Sequence, residues 1–176
     1  MTDYNYSNVQ IDTDILPSIQ DIDFQALDKS YLKVEIIGIT IIWLIIAGGV
    51  NTGFFLSDVK PTWIPYLILG IFTILITFSY VVTIKGFYRK GYALRQLDII
   101  YKEGLLWKKQ SLVPFNRIQH AEVNQGPIER MFDLGELNIY TAGGSSSDLS
   151  IKGISKEKAM SIKHFLLSKT AMDEEE

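Results

Sequence analysis

Two long apolar runs dominate the pattern of hydrophobic and polar positions along the chain. They cover residues 36–56 and 63–84, and neither contains an Asp, Glu, Lys or Arg. As helices, runs of about 21 residues would cross the roughly 30 Å hydrocarbon core of a bilayer. Two buried helices of a soluble core are the alternative, but the remaining residues are too few and too polar to surround them. The pattern therefore predicts a two-helix transmembrane hairpin over residues 31–84, with the lipid bilayer as its partner.

A strand-like pattern follows the second apolar run. Between residues 85 and 170 the chain contains six short stretches of strand-forming residues, separated by Gly, Pro or polar turns. Gly104 and the GGSSSD run at 143–148 stand where hairpin turns are needed, because glycine adopts positive φ without a steric penalty. This part of the chain is predicted to be the folded cytoplasmic domain.

The period changes to a helical one near the end of this domain. Ser155 is a good N-cap, and four apolar residues after it fall on one helical face, namely Ala159, Ile162, Phe165 and Leu166. Strands followed by one helix predict an α+β, mainly-β domain: a small, partly open antiparallel barrel with one C-terminal helix over an open end of the sheet.

Both ends of the chain are acidic. Residues 1–30 contain six Asp and one Lys and show little periodicity, which predicts a mobile cytoplasmic tail with a short ordered stretch near the membrane. A partner-binding peptide would have the same composition. Residues 171–176 form a second acidic tail.

Basic residues flank the apolar runs unevenly. The connecting loop has only Lys60, whereas the outer flanks of the two runs have six basic residues: Lys29, Lys33, Lys85, Arg89, Lys90 and Arg95. Since positive residues remain in the cytoplasm, both termini are predicted to be cytoplasmic and the loop external.

The apolar runs also contain small and aromatic residues. Glycines in the runs, among them Gly48, Gly49 and Gly53, are interpreted as close-packing surface between helices. The aromatic residues Trp63, Tyr66 and Tyr80 are interpreted as interfacial anchors. Because intramembrane ionisable groups mark ion pathways and these runs contain none, a channel or transporter made of this hairpin alone is not expected.

The composition also excludes several kinds of chemistry. The chain has no cysteine, which excludes disulfides, thiolate metal sites and cysteine nucleophiles. Its two histidines are too few for a histidine-based metal cluster. We expect no metal, no cofactor and no nucleic-acid partner.

The densest polar stretch, RIQHAEVNQGPIERMFDLG at residues 117–135, has the appearance of an active site. Its first half is typical of a strand, Pro127 suits a first helical position, and Gly135 is placed to end a short helix. A catalytic interpretation would make His120 a general base oriented by Glu122 or Glu129, but no nucleophile lies nearby in sequence. We therefore predict no catalytic residues and no enzymatic activity.

A structural role for the polar side chains of this stretch is the preferred interpretation. They are expected to hydrogen-bond backbone carbonyls that the turn and the short helix leave unpaired, through Arg117, Gln119, Gln125 and Arg130.

The same stretch resembles the signature of the YdbS-like family of bacterial pleckstrin-homology-like (PH-like) membrane proteins. The matching residues are Ile118-Gln119, Gly126-Pro127, Arg130 and Leu134-Gly135. The two preceding apolar runs, the Gly153-Ile154 pair and the closing helix extend the resemblance to about residues 25–170. It implies a PH-like barrel held at the cytoplasmic face of a bacterial inner membrane by a multi-pass anchor. It also implies a hetero-oligomer with a larger membrane protein carrying several such domains. Assembly of the chain with itself through open strand edges is a further expectation.

The charge of the domain leaves two interpretations open. Residues 85–170 contain 14 Lys and Arg against 8 Asp and Glu, a net charge of +6. Candidate contacts to anionic lipid lie beside the membrane at Lys85, Arg89, Lys90 and Arg95, with further lysines on the adjoining hairpin at Lys102, Lys108 and Lys109. The same residues are also required simply to fix the topology. The sequence thus predicts a membrane-anchored binding or scaffolding module, with an accessory subunit of a transport or export complex as the alternative.

Overall fold

The computed structural model describes residues 22–56, 63–142 and 148–173. These residues form seven strands and four α-helices, with a 3-10 turn at Phe115–Arg117. The helices are α1 (Lys29–Leu56), α2 (Ile64–Phe87), α3 (Pro127–Met131) and α4 (Lys156–Asp173). The strands are β1 (Gln25–Ala26), β2 (Gly91–Leu94), β3 (Asp98–Glu103), β4 (Lys109–Pro114), β5 (Ile118–Asn124), β6 (Leu134–Thr141) and β7 (Leu149–Ser155).

Helices α1 and α2 form the predicted hairpin. Both are long and apolar enough to cross a membrane, and the most apolar part of each has no residue buried within the protein. The two helices contact each other through polar pairs as well as apolar ones. The Trp43 indole N–H donates to Ser79 Oγ at 2.8 Å, and Thr40 Oγ1 lies 2.7 Å from Tyr80 Oη. The Tyr80 side chain therefore faces the partner helix.

The glycines of α1 also differ from their predicted role. A Cβ atom added at Gly48, Gly49 or Gly53 would meet no described atom within 4 Å. These positions therefore do not form the contact with α2, and they present an open surface on the outside of the hairpin.

The strands form two antiparallel sheets that do not close into a barrel. One sheet has the order β1-β2-β3-β4 and the other β5-β6-β7. β1 pairs with β2 through Gln25↔Tyr92 and Ala26↔Gly91, so the whole hairpin is inserted between two adjacent strands of one sheet. The six strands predicted after the hairpin are confirmed. β1 is additional, because a two-residue strand has no measurable periodicity.

The boundaries of the predicted segments change as a result. β1 lies within the short ordered stretch predicted near the membrane, at residues 19–27 of the acidic tail. Together with the first residues of α1, it places the end of the range 1–30 in the folded domain. Helix α1 begins at Lys29, before the apolar run, and α2 continues to Phe87. Residues 1–21 and most of the GGSSSD run, at 143–147, lie outside the described residues, as do residues 174–176.

The core lies between the two sheets and α4. Ala159 and Leu166 are fully buried and Ile162 is nearly so, which confirms the predicted helical face. The Lys158 N–H donates to Ser155 Oγ at 3.3 Å, which confirms Ser155 as the N-cap. Phe165 packs edge-on against Phe115 with ring centroids 5.8 Å apart.

The first turn of α1 is part of this core. Tyr31 is buried, and the Asp28 N–H donates to the Gly153 carbonyl at 2.8 Å. Gly153 has a φ of +73°, and a Cβ atom at this position would overlap the Tyr31 ring. A glycine is thus required in β7 so that the base of the hairpin can pack against the sheet.

The polar stretch at 117–135 forms the predicted strand, turn and short helix, with two differences. Helix α3 ends at Met131, and the turn after it contains Asp133 at a φ of +53°, whereas Gly135 lies within β6. The β5–β6 pairing shifts between Ile118 and His120. This bulge places Gln119 out of the alternation, so that Ile118 and Ala121 are both buried.

Candidate membrane-facing site

The turn between β3 and β4, residues 104–108, lies at the same end of its sheet as the hairpin. Strand β2 begins where α2 ends, and β3 runs antiparallel to it, with Gly91 opposite Lys102. The chain reverses at Gly104, whose φ of +96° confirms the predicted glycine turn, and β4 returns with Lys109 opposite Glu103. We call residues 104–108 the β3–β4 turn.

The β3–β4 turn packs against the end of α2. Leu105 Cβ lies 4.0 Å from the position of a Cβ atom on Gly86, and a cavity of about 320 Å³ separates the turn from the helix. The next two side chains have no such cover: Leu106 is 68% exposed and Trp107 is 88% exposed. Two consecutive large apolar side chains therefore point into solvent beside the base of the hairpin.

An ion pair joins α1 to the turn that follows α2 at this level. Lys90 Nζ pairs with the Glu35 carboxylate and lies 5.4 Å from the Tyr31 ring centroid. Both side chains are largely buried, and Glu35 Oε2 is buried without a hydrogen-bond partner among the described residues. Lys90 therefore stabilises the junction between hairpin and domain, and its charge is already neutralised.

Four other basic residues surround the β3–β4 turn on its outer side. A cavity of about 500 Å³ is lined by their side chains together with Glu103, and we call these residues the basic surface: Arg89, Lys102, Lys108 and Lys109. None of the four has an ion-pair partner within the described parts of the chain. Lys102 is held by a cation–π contact, with Nζ 3.8 Å from the Phe24 ring centroid.

The structure separates the four residues predicted to contact anionic lipid. Lys85 is exposed in the last turns of α2, and Arg89 belongs to the basic surface. Lys90 is paired with Glu35. Arg95 lies at the opposite end of β2, about 13 Å along the strand at roughly 3.3 Å per residue. Its Nε donates to Asp98 Oδ1 at 2.6 Å, and this bond raises the pKa of Arg95.

Sequence reasoning missed Leu106 and Trp107 as surface residues. One of the six stretches predicted to be strands covers residues 105–115, whereas β4 begins at Lys109. The sequence does contain a signal for an exposed turn here. A glycine is followed by three large apolar residues and then by two lysines, and this order does not alternate between apolar and polar residues as a strand would.

The family signature occupies structural positions for the most part. Ile118, Leu134 and Gly135 are buried. The Gly126 N–H donates to Glu129 Oε2 at 2.7 Å, and Pro127 is the first helical residue, so this pair begins α3. Of the polar side chains expected to bond backbone carbonyls, Gln125 does so, donating to the Leu134 carbonyl at 2.6 Å. Within the described residues, Gln119, Arg117 and Arg130 are exposed and form no side-chain hydrogen bond.

His120 lies on the exposed face of β5. Its Nε2 is 2.9 Å from Glu122 Oε1, and the Tyr140 hydroxyl approaches the other oxygen at 3.4 Å. The hydrogen bond from His120 is the main cause that lowers the pKa of Glu122. This is an exposed polar cluster on a sheet, and it faces none of the cavities described above.

These features define a class of protein: an open PH-like pair of sheets with a C-terminal helix, built onto two helices that could cross a membrane. Comparison with protein families agrees, since residues 32–170 match the bacterial PH domain. The chain belongs to the bacterial PH domain family, in which it is matched over more than three quarters of its length. Comparisons with curated proteins and with solved structures found no match. PH domains are generally non-enzymatic binding modules.

Proposed function

We propose that this protein is a cytoplasmic PH-like binding and scaffolding module anchored in a bacterial inner membrane, which assembles with itself or with related PH-domain membrane proteins. One observation carries the proposal: the hairpin is inserted between the adjacent strands β1 and β2. Tyr31 from α1 and Phe87 from α2 are part of the domain core. The domain is therefore held at a fixed height and orientation relative to the hairpin, as a scaffold requires.

The exposed surface of the hairpin supports its placement in a bilayer. Large apolar side chains cover both helices outside their mutual contact, for example Leu44 at 66% and Ile74 at 69% exposure. No described part of the domain covers them. Basic residues at the domain end, with one lysine in the connecting loop, support cytoplasmic termini and a multi-pass topology.

Topology can be tested directly because the native chain has no cysteine. A membrane-impermeant maleimide applied to intact spheroplasts should label Lys60→Cys and should label Lys169→Cys only after the membrane is broken. Labelling of Lys169→Cys in intact spheroplasts would overturn the orientation.

The open glycine surface of α1 supports assembly through the membrane helices. Gly49 and Gly53 are four residues apart, and a Cβ atom at either would meet no described atom within 4 Å. Two small residues at this spacing allow a second helix to approach closely. Gly70 on α2 is equally open but has no second glycine four residues away, which makes it the matched control.

Assembly should be measured on the full chain in mild detergent by size-exclusion chromatography with light scattering. We expect an oligomer that Gly49→Leu/Gly53→Leu dissociates and Gly70→Leu does not. A wild-type monomer that co-purifies with no related protein would contradict the scaffolding proposal.

The alternative, an accessory subunit of a transport or export complex, is favoured by one further feature. The outer halves of α1 and α2 leave an apolar groove of about 470 Å³ between them, lined by residues that include Val50, Phe54, Ile68 and Phe72. A helix of a larger membrane protein would fit against such a surface. Stoichiometric recovery of a transporter with the tagged chain supports this alternative, whereas recovery of the chain itself or of other PH-domain proteins supports the main proposal.

A further inference from the structure

We propose that the β3–β4 turn lies in the membrane interface, where Leu106 and Trp107 enter the bilayer and the basic surface binds the phosphate of an anionic phospholipid. This inference rests on the proposed membrane placement of the hairpin. It adds a second contact between the same chain and the same bilayer, made by the domain itself.

The depth of the turn relative to the hairpin is the first step. The cavity between the turn and α2 is lined by Val82, Thr83 and Gly86, so the turn is level with the last two turns of that helix. Lys85 is the first charged residue of α2. A charged side chain at this position marks where the helix leaves the hydrocarbon. The turn therefore lies at the depth of the lipid headgroups.

The chemistry of the tip is the second step. Leu106 and Trp107 contribute almost nothing to the domain core, because most of each side chain is exposed. In water such exposure is unfavourable, because apolar surface is more stable when it is removed from water. At the headgroup boundary the same side chains are stabilised, and tryptophan is enriched there because its ring is apolar with one polar N–H.

The charge beside the tip is the third step. The basic surface contributes four positive side chains to its cavity. The one carboxylate that lines the same cavity belongs to Glu103. Lys108 and Lys109 directly follow Trp107 and are both exposed. Their long side chains reach past an inserted tip toward the phosphates. An anionic phospholipid provides a phosphate at this depth, and the bilayer that holds the hairpin provides the lipid.

Depth can be measured on the full chain in nanodiscs of phosphatidylcholine and phosphatidylglycerol. A spin label is attached to Leu106→Cys, to Leu97→Cys or to Leu44→Cys. Leu97 is the matched control, because it is also a leucine in a turn, is 80% exposed and lies at the opposite end of the sheet. Collisions with oxygen and with a water-soluble nickel chelate report the depth of each label.

We expect the label at residue 106 to favour oxygen and the label at residue 97 to favour the nickel chelate. If residue 44 is in the bilayer while residue 106 is as accessible to nickel as residue 97, this inference is wrong and the proposed function stands. If residue 44 itself is accessible to nickel, the membrane placement fails and both proposals fail with it.

The lipid specificity is measured by the fluorescence of Trp107 in a chain with Trp43→Phe and Trp63→Phe. Quenching is measured first with brominated phosphatidylglycerol in unlabelled phosphatidylcholine, and then with brominated phosphatidylcholine in unlabelled phosphatidylglycerol. The ratio of the two quenching values gives the local enrichment of the anionic lipid around Trp107. Added inorganic phosphate should leave this enrichment unchanged, because the site takes its phosphate from the bilayer. Loss of enrichment on adding phosphate would assign the site to a soluble anion and overturn the lipid contact.

A lysine pair tests whether the basic surface causes the enrichment. Lys108→Gln/Lys109→Gln should lower the enrichment by about five-fold per lysine removed, following the contribution of a basic residue near an anionic surface. The control is Lys163→Gln/Lys169→Gln on α4, which removes the same charge at a distance from the turn. Helix α4 packs through Phe165 on Phe115, and Phe115 follows the end of β4 that is remote from the turn. Equal loss in the two variants would show that net charge acts instead of this site.

Discussion

Substitution of Gly153 by alanine tests whether the base of the hairpin and the PH-like domain fold as one unit. Alanine at position 153 has to keep the positive φ of the glycine, which costs about 1–2 kcal/mol for an L-residue. It also overlaps the ring of Tyr31, which is buried in the domain core. If the ring leaves the core completely, the cost approaches that of deleting a large buried side chain, about 3–5 kcal/mol. We expect partial displacement and a destabilisation of about 3 kcal/mol.

The assay is unfolding of the full chain by guanidinium chloride in detergent, followed by circular dichroism. The second variant is Tyr31→Ala, which removes the overlapping ring, and the two are combined in a double-mutant cycle. Because Gly153→Ala and Tyr31→Ala both remove the same contact, their effects should fall short of additive by about 2 kcal/mol. Additivity within about 0.5 kcal/mol would refute the proposed packing of α1 against β7.

Gly135→Ala is the matched control for Gly153→Ala. Its Cβ atom would lie 3.4 Å from Val123 Cγ1 and 3.6 Å from Ala159 Cβ, which is ordinary contact, and its φ is not positive. We expect a change below about 1 kcal/mol, since no strain is added. A loss as large as that of Gly153→Ala would show that the domain rejects any additional methyl group.

Three further substitutions test the contact between α1 and α2, the junction of the hairpin with the domain, and the loss of stability at low pH. Trp43→Phe removes the donor to Ser79 and should destabilise the hairpin by about 0.6–1.7 kcal/mol, measured by unfolding in detergent; no change would show that this bond is replaced by another. Lys90→Met leaves Glu35 unpaired in a largely buried position and should cost about 2 kcal/mol, and adding Glu35→Gln should recover most of it; equal losses would contradict the ion pair. Hydrogen bonds from Thr141 lower the pKa of Asp148. The ionised carboxylate therefore stabilises the fold at any pH above its ordinary pKa of about 4, and this stabilisation is lost as the pH falls through the lowered pKa. Asp148→Asn should therefore lose less stability on acidification than the wild type, measured as the unfolding midpoint against pH; parallel curves would contradict this.

Local patterns made much of the fold predictable. The two apolar runs, the six later strands, the glycine turn at Gly104 and the N-cap at Ser155 each depend on residues close together in sequence. The final helix was predictable for the same reason, since its apolar face repeats every three to four residues. In these places propensity, period and turn chemistry all favour the same structure.

The rest depends on contacts between distant residues. β1 is two residues long and exists because β2, on the other side of the hairpin, provides its partner. The requirement for glycine at position 153 depends on Tyr31, which is far away in sequence. The bulge at Gln119 places Ile118 and Ala121 on the same buried face, which the regular alternation of a strand does not predict. The position of the β3–β4 turn beside α2 likewise follows from strand pairing, with Gly91 opposite Lys102.

Insertion of the hairpin within a sheet changes how strong a lipid contact has to be. A peripheral domain must bind its lipid tightly enough to remain at the membrane, whereas this domain is proposed to stay there through its helices. The effective concentration of headgroups around the β3–β4 turn is then fixed by geometry, and weak contacts are sufficient to select among lipids. The depth of Leu106 should accordingly be unchanged in Lys108→Gln/Lys109→Gln, although the lipid enrichment falls. If the turn leaves the interface when these lysines are removed, the basic surface determines the position of the domain, and the rigid junction at Tyr31 and Gly153 does not.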